Sequence, residues 1–143
     1  MKKINLIIFS LLFCSVINAA TLIEAIGDKN TQFEGGDADV FEESKSQVHL
    51  YNLNGPDEIN KLLGDKLPPN KEQAMAIVKS RIAVLGPSLE VKTKTAYLGI
   101  TAAIRYRLTE YPAIVFNQKY VIYGETDIEA AYNQYQAWLD KHE

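Results

Sequence analysis

The only cysteine in this chain, Cys14, lies inside its first twenty residues, so everything after that must fold without a disulfide. Those first residues have the three parts of a secretory signal. A basic head (Met1-Lys2-Lys3) precedes an apolar run from Ile4 to Ile17, and Asn18-Ala19-Ala20 is a small-residue exit. The run falls short of the roughly 20 apolar residues that cross a bilayer, and no later segment approaches that length. The sequence therefore predicts an exported, periplasmic protein, cleaved after Ala19 or Ala20, with no transmembrane span afterwards. A lipid-modified Cys14 is disfavoured because bulky Phe13 precedes it. Residues 1–20 are assigned to the signal and 21–143 to one domain, long enough for a modest core.

Removing Lys2 and Lys3 leaves 13 basic against 18 acidic residues. Seven of the acids (Glu24, Asp28, Glu34, Asp37, Asp39, Glu42 and Glu43) crowd into residues 20–45 beside Lys29 and Lys45 alone. Nucleic-acid binding calls for a basic patch, and none is evident. Without cysteine there is no thiolate for redox chemistry, nucleophilic attack or metal ligation. The two histidines left, His49 and His142, have no companions at metal-ligand spacing. No cofactor is expected: Gly35-Gly36 is a lone pair in an acidic setting that repels phosphate.

The element pattern predicts a mixed α/β domain. Thr21–Ile26 reads as a strand. Residues 27–47 form an acidic variable segment, read from Thr31 to Gln47 as a solvated loop, with a helical turn or two over Ala38–Glu43 as the alternative. Val48–Leu53 alternates as a strand with Val48, Leu50 and Asn52 on one face, and Asp57–Leu63 reads as a short helix. The strongest helix follows Leu67-Pro68-Pro69, with Asn70 as cap and Gln73 in the capping-box position. Ala74, Ile77, Val78, Ile82 and Leu85 mark its apolar face, and Gly86-Pro87 ends it. Helical character resumes from Ser88, where Gly99 permits close contact with a neighbour. Pro112–Phe116 is a buried strand, Asn117-Gln118-Lys119 a turn, and Tyr120–Tyr123 an antiparallel partner. Thr126 with Glu129 is a capping-box candidate for a last helix with Ile128, Ala131, Tyr132, Tyr135 and Leu139 in its stripe and Trp138 at the edge.

Two stretches carry a family resemblance: Leu67–Val78 continuing through Arg81–Pro87, and Tyr111–Ile128. They resemble small exported proteins of integrating conjugative elements, which have a thioredoxin-like segment and are associated with type IV secretion. The resemblance covers roughly Val48–Trp138. It implies a thioredoxin-like fold and a role in conjugation, with other conjugation or secretion-apparatus proteins as partners. It also implies that Tyr111-Pro112 corresponds to that fold's cis-proline loop, although the sequence by itself favours an ordinary trans proline at a strand's first residue.

No catalytic, metal or cofactor residues are assigned. The possible contact loop is Tyr111-Pro112, and the possible interface residues are Tyr120, Tyr123, Tyr132 and Tyr135, since aromatics anchor interfaces. The competing reading places at least two of these tyrosines in the core. The expected function is that of a noncatalytic accessory or assembly protein of a conjugative type IV secretion system. The alternatives are a carboxylate-based enzyme, drawing on Asp37 and Asp39 or on Glu125, Asp127 and Glu129, or a small periplasmic ligand-binding protein. The first-turn acids Asp127 and Glu129 have a simpler use at a helix N-terminus.

Overall fold

Two strands with apolar side chains on both faces need cover above and below, and that requirement organises the molecule. The computed structural model describes residues 20–142, so residues 1–19 of the expected leader lie outside the described residues. Strands β1 (Leu22–Gly27), β2 (Gln47–Asn52), β3 (Ala113–Phe116) and β4 (Tyr120–Tyr123) form one mixed sheet in the order β2-β1-β3-β4. β1 runs parallel to β2 and antiparallel to β3, which pairs antiparallel with β4. The helices are α1 (Asp39–Glu43), α2 (Gly55–Gly64), α3 (Lys71–Leu85), α4 (Pro87–Tyr106) and α5 (Ile128–His142).

Side chains alternate across a strand, and the central pair divides its apolar residues accordingly. Ile23, Ala25, Ile114 and Phe116 point to the side of α1 and α5, where they meet Phe41, Ile128, Ala131, Tyr132 and Tyr135. Ile26 and Val115 point to the other side, against Ala102 of α4. Helices α2 and α3 pack onto α4 rather than onto the sheet centre. At the hairpin between β3 and β4, Asn117 and Gln118 both take positive φ (49° and 60°). This is the two-residue twist that favours tight hairpins.

Several sequence expectations change. The acidic segment is not a solvated loop but a strap. Phe33, Ala38, Val40 and Phe41 pack against the core, and Phe41 meets Tyr132 edge-on at 5.3 Å. The acids Glu34, Asp37, Asp39, Glu42 and Glu43 face solvent. The Glu34 N–H bonds to Thr126 O at 3.0 Å and the Ile128 N–H to Glu34 O at 2.9 Å, stitching the strap to the entry of α5. Of the two readings, the helical turn forms, over Asp39–Glu43, because Ala38, Val40 and Phe41 give it an apolar side to bury against the core.

On β2, Val48, Leu50 and Asn52 share a face, but only Val48 packs on the core and Leu50 stays 59% exposed. The strand lies at the sheet edge, where α4 packs on its Tyr51 face while Leu50 on the opposite face is left largely uncovered. α3 begins and ends where expected: Asn70 Oδ1 accepts from the Gln73 N–H at 2.9 Å. It nevertheless has no buried residue, because it rests on other helices instead of on the sheet. The cap of α5 is Asp127, whose Oδ1 accepts from the Ala130 N–H at 3.0 Å. Thr126 sits one residue too early, its carbonyl engaged by the strap.

Candidate functional site

Ligands of open α/β sheets gather outside the carboxyl ends of parallel strands. Here β1 and β2 end together at Gly27 and Asn52, and Ile26 pairs with Ala113, which brings Tyr111-Pro112 to the same end. The Tyr111–Pro112 peptide is cis. Tyr111 is 43% exposed and Pro112 half-buried.

The polar groups at this end bind one another. Asp28 Oδ1 accepts from the Asn30 N–H and the Thr31 hydroxyl, each at 2.9 Å. Those two bonds, the hydroxyl first, lower the Asp28 pKa from its usual 3.8. Asn52 Oδ1 accepts from the Asn54 N–H at 2.8 Å, while its amide donates to Glu58 Oε1 at 2.9 Å. The Lys29 N–H reaches Asn54 Oδ1 at 3.0 Å, joining the two loops. The shallow cavity beneath them, about 210 Å³, is lined by Gly27, Asp28, Thr31, Phe33, Leu50 and Tyr51 among others. Such a set fixes the loops, but none of its members is poised as a nucleophile.

A second polar cluster lies under α4. Glu24, 3% exposed in the middle of β1, accepts from the Tyr106 hydroxyl and also pairs with Tyr51. Burial first, then the Glu24 carboxylate, raises the pKa of both tyrosines above 10.0. Arg105 lies over the Tyr106 ring at 5.8 Å, and its pKa is raised chiefly by its hydrogen bond to that tyrosine. The pairing supplies what a buried carboxylate requires and pins the end of α4 to the sheet. The sequence reading counted Glu24 only among the acids; its signal was a lone carboxylate inside the run Leu22-Ile23-Glu24-Ala25-Ile26.

The tyrosines named from sequence separate. Tyr132 and Tyr135 are 4% and 6% exposed and belong to the core, so they are corrected from interface residues to packing residues. Phe116 stacks on Tyr135 at 4.7 Å. Tyr120 is half-buried and leans on Trp138 at 4.7 Å, and Tyr123 is 41% exposed. Tyr111 and Tyr123 thus remain at the surface, at the start of β3 and the end of β4, where Ala113 pairs with Tyr123.

The carboxylates considered for catalysis have structural duties or face solvent. Glu125 Oε1 accepts from the Thr126 and Asp127 N–H groups, Asp127 caps α5, and Asp37 and Asp39 lie exposed on the strap. Among the described residues no group of three or more His, Cys, Asp or Glu side chains is placed to hold a metal ion. Among them, too, no helix is long and apolar enough to cross a membrane.

The largest departure from ordinary surface chemistry is on the helical layer. Val84 is 83% exposed, Ile104 72%, Val91 66% and Met75 47%. Between α2 and α4 a cavity of about 410 Å³ has an apolar floor of Ile59, Leu62, Val91 and Ala96, with Glu58 and Lys92 also lining it. Sequence periodicity marked some of these positions as apolar but not which side would stay uncovered.

No curated protein and no solved structure matches the chain. Residues 37–141 match the family model described as "Protein of unknown function (DUF1525)", and the chain belongs to that family.

Proposed function

We propose that this is a noncatalytic periplasmic accessory or assembly protein of a conjugative type IV secretion system encoded by an integrating conjugative element, acting through protein contacts. The observation that carries the reading is the number of large apolar side chains left exposed on α3 and α4, among them Met75, Val84, Val91 and Ile104. Single exposed apolar side chains are normal on a surface, and the reading rests on how many of them these two helices leave uncovered. The interlocked polar groups at the carboxyl end of the sheet support a noncatalytic role, since their hydrogen bonds are spent on one another. The four-stranded mixed sheet, with Tyr111-Pro112 leading into a central strand, supports the thioredoxin-like reading.

The test is affinity capture of the tagged protein from cells carrying a complete conjugative element, paired with deletion of its gene. Reproducible recovery of secretion or pilus-assembly components, and a drop in transfer frequency on deletion, are expected. Unchanged transfer together with no such partner would sink the proposal. The α2–α4 cavity favours a second reading, a small ligand-binding protein, because its volume and apolar lining suit a small apolar molecule. Native mass spectrometry of the protein purified from its own host separates the two: a retained small molecule supports the second.

A further inference from the structure

The outer edge of the sheet carries chemistry that the proposed function does not use. Ladder bonds leave a strand alternately to its two sides. The Asn117 N–H bonds to Leu22 O at 2.8 Å, and the Gly124 N–H to Pro112 O at 2.9 Å. With the register Ile23–Phe116 and Phe116–Tyr120, these two bonds fix the pattern. Residues 113, 115 and 117 face β1, while 112, 114 and 116 face β4. Tyr120 and Ile122 answer them from β4, which turns the N–H and C=O groups of Val121 and Tyr123 outward. Among the described residues no strand lies beyond β4. An open edge of this kind is a template for another strand.

The edge also has a self-complementary pattern. If a second copy of β4 lies antiparallel with the two-fold axis at Ile122, Val121 falls opposite Tyr123 of the second copy, and Tyr123 opposite its Val121. Those are the residues whose backbone groups point outward, so four hydrogen bonds close at once. Just beyond the ends of β4, the same alignment brings the Lys119 turn toward the loop after Gly124 that carries Glu125 of the second copy, and Glu125 toward its Lys119 turn. A parallel arrangement would juxtapose like charges. Tyr120 and Ile122 face α5, where they line a groove of about 270 Å³ with Phe116, Gln134, Tyr135 and Trp138. Trp138, 40% exposed, stands in this groove, and Ile122 of the second copy arrives next to it.

We propose that two copies of this chain associate through β4, antiparallel about Ile122, to make a continuous eight-stranded sheet. The interface is isologous, so it closes on itself as a dimer and does not grow into a fibre. It leaves the α3–α4 surface free and stands independently of the function proposed above.

Sedimentation equilibrium of the purified protein tests it. The wild type is expected to be a dimer. Val121→Pro removes an outward N–H that faces no strand among the described residues, at an edge position that tolerates proline, and is expected to give a folded monomer. Lys119→Glu and Glu125→Lys each set like charges across the interface twice and should raise the dimer Kd roughly tenfold. An equimolar mixture of the two variants should recover a heterodimer of near wild-type affinity. Glu125 also holds its own loop; should Glu125→Lys fail to fold, Lys119→Glu must weaken the dimer more than Lys119→Gln does. A monomeric wild type, a dimer that survives Val121→Pro, or a Kd indifferent to the charge at 119 overturns the proposal.

Discussion

Glu24 shows how one residue ties distant parts of the chain together. It comes from β1, where it is 3% exposed, and its phenolic partners Tyr51 and Tyr106 come from β2 and from α4. Tyr106→Phe removes one of the two hydrogen bonds to this carboxylate and is expected to cost about 1–3 kcal/mol, the range for a hydrogen bond to a charged group, and a urea titration measures it. The same cluster predicts alkaline instability. Tyr51 and Tyr106 have folded pKa values above the 10.0 of the free side chain. Their contribution is fully present below pH 10.0 and is lost as pH rises through the folded values, because the unfolded chain gives up its phenolic protons first. The slope of stability against pH above 10.0 should be shallower in Tyr106→Phe; an unchanged slope refutes the assignment. The strand around Glu24 was legible in the sequence. Its burial was not, because the helix that covers it arrives some eighty residues later. Gly99 was better signalled. A Cβ there would sit 2.6 Å from Asn52 O, and one at Gly55 would sit 2.3 Å from Ala96 O. Gly99→Ala should destabilise by about 1–3 kcal/mol, as overpacking does, visible as a lowered denaturation midpoint.

At the level of elements, local chemistry predicted starts and stops more reliably than surroundings. Asn70 caps α3 as its side chain and position require, and Gly86, at φ +49°, ends the helix before Pro87 opens the next. Asn70→Ala should lower stability by about 1 kcal/mol. On α5 the two possible caps give a direct comparison. Asp127→Ala removes the acceptor for the Ala130 N–H and should also cost about 1 kcal/mol, whereas Thr126→Ala, whose side chain caps nothing, should lie within about 0.5 kcal/mol of wild type. A Thr126 effect as large as that of Asp127 would restore the capping-box reading. The strap was misread for a different reason. Its charges dominate the composition, but the spacing of Phe33, Ala38, Val40 and Phe41 decides its structure, and apolar burial outweighs solvation of side chains that can stay wet on the opposite face. The outward Tyr111 and the inward Tyr132 and Tyr135 follow the same logic: residue type alone does not distinguish an interface anchor from a core aromatic, and only the sheet and α5 together do.

Across the whole molecule, cover is distributed unevenly, and this should appear in its dynamics. β1 and β3 are enclosed on both faces, with Ile23, Ile26, Ile114, Val115 and Phe116 all at 0% exposure. α3 is enclosed on neither: it contributes no buried residue, exposes Met75, Ile82 and Val84, and is tied to α2 by the Arg81 guanidinium donating to Leu63 O at 2.7 Å. Segments with little buried apolar contact open locally at free energies well below that of global unfolding. Amide hydrogen exchange should therefore show the central residues of α3 exchanging at least tenfold faster than those of Ile23–Ile26 and Ile114–Phe116. Arg81→Ala should widen the gap by speeding α3 alone, because the strands do not depend on that hydrogen bond. Uniform protection across α3 and β1 would mean that the helical layer and the sheet unfold as one unit. If α3 is the loose layer, a partner covering Val84 and Val91 would bury surface that the fold itself leaves open, and should slow exchange in α3 while leaving the already enclosed strands unchanged.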